Sequence, residues 1–124
     1  MIFLGTAFQL YGGNEKVPND IRWIRQSLEY ERLCEQVYQR STVQILKVLK
    51  KESKKKNLAL VVDLDETVLN NSLYQVERWQ AGLTFTQDSW SDWVNRKEAG
   101  LVPGAKEFLS TVREKGVRGV FLSN

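Results

Sequence analysis

The stretch LALVVDLDETVLNN, Leu58–Asn71, passes within a few residues from unbroken hydrocarbon to three acids, a threonine and two asparagines. Leu58 to Val62 has no polar interruption, the pattern of a strand covered on both faces, as in a parallel sheet with helices above and below. The carboxylates Asp63 and Asp65 begin where that strand ends. In open α/β sheets ligands bind outside the carboxyl ends of the strands, so the acids fall where such a fold places its chemistry. The fold class is therefore read as α/β, with a parallel, Rossmann-like sheet and flanking helices.

The downstream sequence supplies the rest of a βαβ unit. A helix beginning near Pro103 turns Phe108, Leu109 and Val112 inward and stops at Gly116; Val117 to Leu122 then returns to the sheet. The span from Asp63 to Val117 far exceeds the roughly 30 residues of a simple βαβ unit. The surplus, about 70–102, reads as an insertion over the strand ends, carrying Tyr74, Trp79, Phe85, Trp90 and Trp93, with a short helix from Asp88 or Ser89 to Gly100. Upstream, Asn19 or Asp20 caps one long amphipathic helix whose inward stripe is Trp23, Ser27, Tyr30, Cys34, Val37, Ser41, Ile45 and Val48. Residues 1–56 are thus an N-terminal segment with a long helix, and 57–124 a part of the α/β domain. Two predicted parallel strands make an incomplete core, since three or more are generally needed to bury a face.

Composition narrows the chemistry. The 124 residues suit one domain, and 42% hydrophobic with 27% charged residues is a globular balance. There is no histidine, which excludes Ser-His and Cys-His nucleophiles and imidazole ligands, and the single Cys34 excludes an internal disulfide. The net charge of +3 comes mainly from Lys47–Lys56, six lysines against one glutamate. That run suits the negative end of a helix dipole and a solvated loop, and without interleaved aromatics it does not indicate nucleic-acid binding. MIFLGTAFQL at the start lacks a basic n-region and is too short for a membrane span.

A carboxylate directly after a buried strand is costly unless a cation or hydrogen-bond donors meet it, so Asp63-x-Asp65 suggests a divalent metal. An oxygen-only ligand set favours Mg²⁺ over zinc. Two such acids can divide the work of phosphoryl transfer, one attacking phosphorus and the other carrying the proton. The plainer alternative is an acidic turn capping the following helix.

VVDLDETVL (Val61–Leu69) resembles motif I of the haloacid-dehalogenase superfamily. With NNSLY, SWSDWV, LVPGAKEF and VFLSN, and with IRWIRQSLEYERLCEQVY ahead of them, the chain from about Ile21 to Asn124 resembles the bacterial class C (DDDD-type) acid phosphatases. The resemblance implies a HAD-like fold and a Mg²⁺-dependent phosphomonoesterase working through an aspartyl-phosphate. In that scheme Asp63 is nucleophile and metal ligand, and Asp65 is general acid/base and lends the metal its backbone carbonyl. Thr67 orients Asp65 or its loop, Ser123 binds the transferring phosphoryl group, and Asn124 stands beside it. Trp90 or Tyr74 would stack on a base or aryl group; otherwise these rings form the insertion's own small core.

The implied substrate is a small phosphomonoester such as a nucleoside monophosphate or aryl phosphate, and the implied location the bacterial periplasm or cell envelope. A lysine and a later acidic pair of the family have no counterpart up to Asn124, so the chain reads as the N-terminal part of such a phosphatase, truncated and with impaired turnover. Two other readings stand beside this: DLDETVL and PGAKEFL also resemble protein-serine phosphatases acting on polymerase tails, and a non-catalytic fragment or interaction module is the third.

Overall fold

A computed structural model describes residues 16–52 and 58–123. The elements are α1 (Asn19–Gln26), α2 (Leu28–Lys51), β1 (Ala59–Asp63), β2 (Leu69–Asn70), α3 (Ser72–Gln80), α4 (Gln87–Arg96), β3 (Gly100–Leu101), α5 (Ala105–Glu114) and β4 (Arg118–Leu122). Asn124, Lys54–Lys56 and the opening MIFLGTAFQL lie outside the described residues. Among those described, no helix is long and apolar enough to cross a membrane.

β1 and β4 pair in parallel, Ala59 opposite Arg118 and Asp63 opposite Leu122, with α5 in the crossover, as the apolar runs and helix signals predict. Gly104 (φ 85°) and Gly116 (φ 72°) bracket α5, each in the left-handed region that glycine adopts without strain. Ala105, Phe108 and Val112 are buried and belong, with Val62, Val68 and Val102, to a small core. The excess chain between the strands is an insertion pinched at its base by β2 and β3, which pair antiparallel through Leu69–Leu101 and Asn70–Gly100. Val102 N–H donates to the Val68 carbonyl at 2.9 Å and extends that clasp.

Inside the insertion lie two helices rather than one. α3 follows directly from Asn71, and α4 starts at Gln87, just ahead of the expected Asp88 or Ser89, because Thr86 accepts from Ser89 N–H while the Ser89 hydroxyl accepts from Thr86 N–H, a capping box. α4 ends at Arg96, where Lys97 as the flanking residue adopts φ 56° and stops the helix short of Gly100.

The long N-terminal helix is also corrected. It starts at Asn19 with Pro18 as the flanking residue and no side-chain cap, then breaks at Ser27, which turns extended (φ −85°, ψ 123°) and accepts from Tyr30 N–H at 3.2 Å to start α2. A serine hydroxyl bonded to the backbone competes with helix continuation. Trp23 and Tyr30 stay together across the break, ring centroids 5.1 Å apart and edge to face.

Burial is the larger departure. β1 is covered on one face only: Val62 is buried while Val61 is 60% exposed, and every residue of β4 is exposed. α2 buries no residue fully, and of the inward stripe expected for one long helix Trp23, now on α1, and Val37 and Val48 on α2 stay exposed. The reason is geometric. α2 rests on α5, with Tyr38 and Phe108 rings 5.3 Å apart, and an open apolar groove of about 800 Å³ separates it from β1. With two strands and no further described element over them, apolar periodicity exists without a partner surface to bury it.

Candidate active site

The turn after β1 sets the site. Leu64 N–H continues the parallel ladder by donating to the Leu122 carbonyl at 2.9 Å. The Leu64 carbonyl then accepts from Val68 and Leu69 N–H, each at 2.9 Å, and from Thr67 N–H at 3.3 Å, while Glu66 N–H reaches the Leu69 carbonyl. This tight reversal requires Glu66 in the left-handed region at φ 57°, a conformation that costs a non-glycine residue about 1–2 kcal/mol. The Tyr38 hydroxyl of α2 ties the turn down by donating to the Thr67 carbonyl.

The reversal lays Thr67 back over the strand end, where its hydroxyl donates to Asp63 Oδ2 at 2.9 Å. The Thr67 hydroxyl is thus directed to Asp63, while its backbone N–H and carbonyl are part of the loop that carries Asp65. Asp65 is held from both sides: Asn71 Nδ2 donates to Oδ1 and the Ser123 hydroxyl to Oδ2, each at 3.0 Å. Ser123, 58 residues away in sequence, arrives because β4 ends level with β1. Asp63, Asp65, Thr67 and Ser123 thus gather at the carboxyl ends of the two parallel strands. A cavity of about 270 Å³ opens beside Asp65, lined by Leu69, Asn71, Trp93, Lys97 and Ser123 among others. The larger groove at α2 contains neither Asp63 nor Asp65.

Tyr74 and Trp90 are not brought to that cavity. Tyr74 is 7% exposed, its hydroxyl shares a hydrogen bond of 2.8 Å with Ser89, and its ring meets Trp90 edge to face at 5.2 Å and Phe85 at 6.5 Å. Here Tyr74 is buried within the insertion, packed against Trp90 and the more exposed Phe85. The aromatic that does reach the site is Trp93, whose indole N–H donates to Asn71 Oδ1 at 2.9 Å. Sequence reasoning passed over both Asn71 and Trp93; the doubled asparagine before α3 was the available signal, since a helix needs one cap, not two.

Oxygen donors from Asp63 and Asp65 suit a hard divalent cation such as Mg²⁺, and the chain has no imidazole to favour a softer one. Among the described residues no group of three or more acidic, histidine or cysteine side chains converges, so these two are the residues that would hold it.

A family model described as HAD superfamily, subfamily IIIB (acid phosphatase) matches residues 9–124, and the chain belongs to that family. Two solved structures of the class C acid phosphatase from Bacillus anthracis are similar. One, with tungstate bound, is 35% identical with a TM-score of 0.72; the other is 34% identical with a TM-score of 0.74. Each alignment covers 84% of this chain and 43% of the solved one, so the chain spans less than half the length of those relatives.

Proposed function

We propose that this chain bears the nucleophile and the proton carrier of a Mg²⁺-dependent phosphomonoester hydrolase. The observation that carries the reading is the constellation at the strand ends: Asp63 with a hydroxyl donor on one oxygen, and two residues on, Asp65 with a donor on each. In the first step an Asp63 oxygen attacks phosphorus in line, the ester P–O bond breaks, and Asp65 gives its proton to the departing oxygen. In the second, Asp65 takes a proton from water, whose oxygen attacks the aspartyl-phosphate; phosphate leaves and the Asp63 carboxylate is restored. The Ser123 hydroxyl, at the end of β4, donates its one proton to Asp65 Oδ2 in the free chain and is placed to turn that proton to a phosphoryl oxygen when substrate enters. Mg²⁺, when bound by the Asp63 carboxylate and the Asp65 backbone carbonyl, supplies the positive charge that offsets repulsion between carboxylate and phosphate.

The proposed substrate is a small phosphomonoester, a nucleoside monophosphate or aryl phosphate. Similarity to a protein with tungstate, a tetrahedral oxyanion, at hand in its crystal supports a phosphate-shaped site. A non-catalytic role is the second reading, favoured by the convergence of only two acids at the site among the described residues. The experiment is turnover of p-nitrophenyl phosphate and a nucleoside monophosphate by the 124-residue chain with Mg²⁺. Slow hydrolysis abolished by Asp63→Asn and by chelation supports the enzyme; no hydrolysis, or hydrolysis indifferent to Asp63→Asn, supports the second reading. Preference for a phosphoserine peptide over both small substrates would move the proposal to a protein phosphatase.

A further inference from the structure

We infer that Trp93 is a positioning residue for Asp65, acting through the amide of Asn71; this rests on the reading of Asp65 as general acid and base. An indole N–H donates and does not accept, so it can face only the oxygen of the Asn71 amide. That contact, at 2.9 Å, leaves the amide one orientation, with Nδ2 turned to Asp65 Oδ1 at 3.0 Å. The flipped amide would set N–H against N–H at Trp93 and oxygen against carboxylate oxygen at Asp65. Asn71 is 3% and Trp93 2% exposed, so water does not step in to satisfy either mismatch.

A helix-capping role does not account for Asn71. It occupies the N-cap position of α3, where an asparagine ordinarily accepts from a backbone N–H in the first turn, yet its side chain makes no such bond. Asn70 does that work instead, its Oδ1 accepting from Ser72 N–H at 3.0 Å. The second asparagine is turned wholly to the site. With Ser123 on Oδ2, the Asp65 carboxylate plane is fixed at both oxygens, and one of the two anchors leads to α4, 22 residues beyond Asn71. The Arg96 guanidinium lies 4.9 Å from the Trp93 ring centre and closes the ring's outer side.

Positioning predicts a leaving-group signature. An alkyl phosphate needs its departing oxygen protonated as the P–O bond breaks, whereas p-nitrophenolate leaves without help. Trp93→Phe keeps an aromatic ring, though a smaller one, and removes the N–H; it is expected to lower kcat/KM for ethyl phosphate about tenfold more than for p-nitrophenyl phosphate, whereas the lost volume by itself lowers both alike. Asn71→Asp keeps the shape and the acceptor for Trp93 but opposes Asp65 with an acceptor, and is expected to do the same. Equal losses on both substrates, the mark of a merely structural role, overturn the inference. Asp65→Asn is the control: if it leaves the ratio of the two substrates unchanged, the acid/base reading itself fails. Hydrogen exchange of the Asn71 side-chain amide, read by ¹⁵N NMR on the full chain, decides without turnover. Protection in the wild type that falls at least tenfold in Trp93→Phe supports the inference; exchange at the free-solvent rate in the wild type, or unchanged protection in the variant, overturns it.

Discussion

The Thr67 hydroxyl donates to Asp63 Oδ2 at 2.9 Å, across a turn only four residues long. The bond restricts the carboxylate's rotation and leaves it exposed at the strand end, where a nucleophile has to stand. Thr67→Val keeps the branched shape and removes the donor. It is expected to lower kcat on p-nitrophenyl phosphate about tenfold, the equivalent of one hydrogen bond to a charged group, with little change in stability because the pair is solvent-accessible. Steady-state kinetics beside a urea melt measure both; unchanged kcat would mean that Asp63 needs no such restraint.

Gly104, at the cap of α5, lies close against Tyr38 and Glu35 of α2. A Cβ built on Gly104 would lie 3.1 Å from Tyr38 Cβ and 3.2 Å from the Glu35 Cα, at a backbone φ of 85° that L side chains rarely take. Gly104→Ala meets strain and crowding together and is expected to cost about 2 kcal/mol of unfolding free energy. Because Tyr38 also ties down the Thr67 carbonyl, displacement of α2 should loosen the turn that carries Asp65. A denaturation midpoint equal to that of the wild type would show that α2 yields at Glu35 without penalty.

What was legible in the sequence was local. The apolar run before Asp63, the glycine after α5 and the turn to β4 each announce themselves within a few residues, and so does the placing of Asp63 and Asp65 at a strand end, whereas Ser123 is singled out only by the resemblance of VFLSN to the family's second motif. Ser27 escaped because it falls in phase with Trp23 and Tyr30 on the helical stripe, and periodicity does not register that a hydroxyl has taken over a backbone N–H. β2 and β3, two residues each, are too short to show a period. Asn71 and Trp93 acquire their roles only when the insertion folds back, so no spacing within either segment encodes the contact. The exposure of Val61 and Leu122 was likewise hidden, since hydrophobicity states what a residue would gain by burial and not whether a partner lies over it.

Tyr30 introduces a dependence on high pH. Burial is the main cause, aided by the neighbouring Cys34 thiol, and together they push the phenol from its ordinary 10.0 up to about 12. The fold therefore holds this proton more tightly than the unfolded chain does. The corresponding stability is complete below pH 10 and is lost as the pH rises through about 12. Tyr30→Phe keeps the ring against Trp23 and removes the proton. The difference between wild-type and Tyr30→Phe denaturation midpoints is expected to shift against the wild type between about pH 9 and about pH 11.5. A constant difference would place the Tyr30 hydroxyl in water.

Arg96 joins α4 to α3 and to the segment beyond it. Its guanidinium donates to both Glu77 oxygens, at 2.6 and 2.8 Å, and also to Glu98, while its face lies over Trp93. A bidentate pair of this kind is stronger than a single surface contact, though its partly exposed position leaves it open to screening by salt. The Arg96 hydrogen bonds are the main reason that the Glu77 carboxyl is held below its ordinary 4.5. The stability linked to it is thus present above that value and disappears as the pH falls through the lowered one. Arg96→Gln is expected to lower Tm by a few degrees at neutral pH and low salt. The gap to wild type should shrink in high salt and again in acid, where Glu77 is protonated in both proteins. It should also increase hydrogen exchange at the Trp93 indole, since the ring loses its outer cover. A Tm gap that persists undiminished in acid would show that Arg96 acts through its contact with Trp93 and not through Glu77.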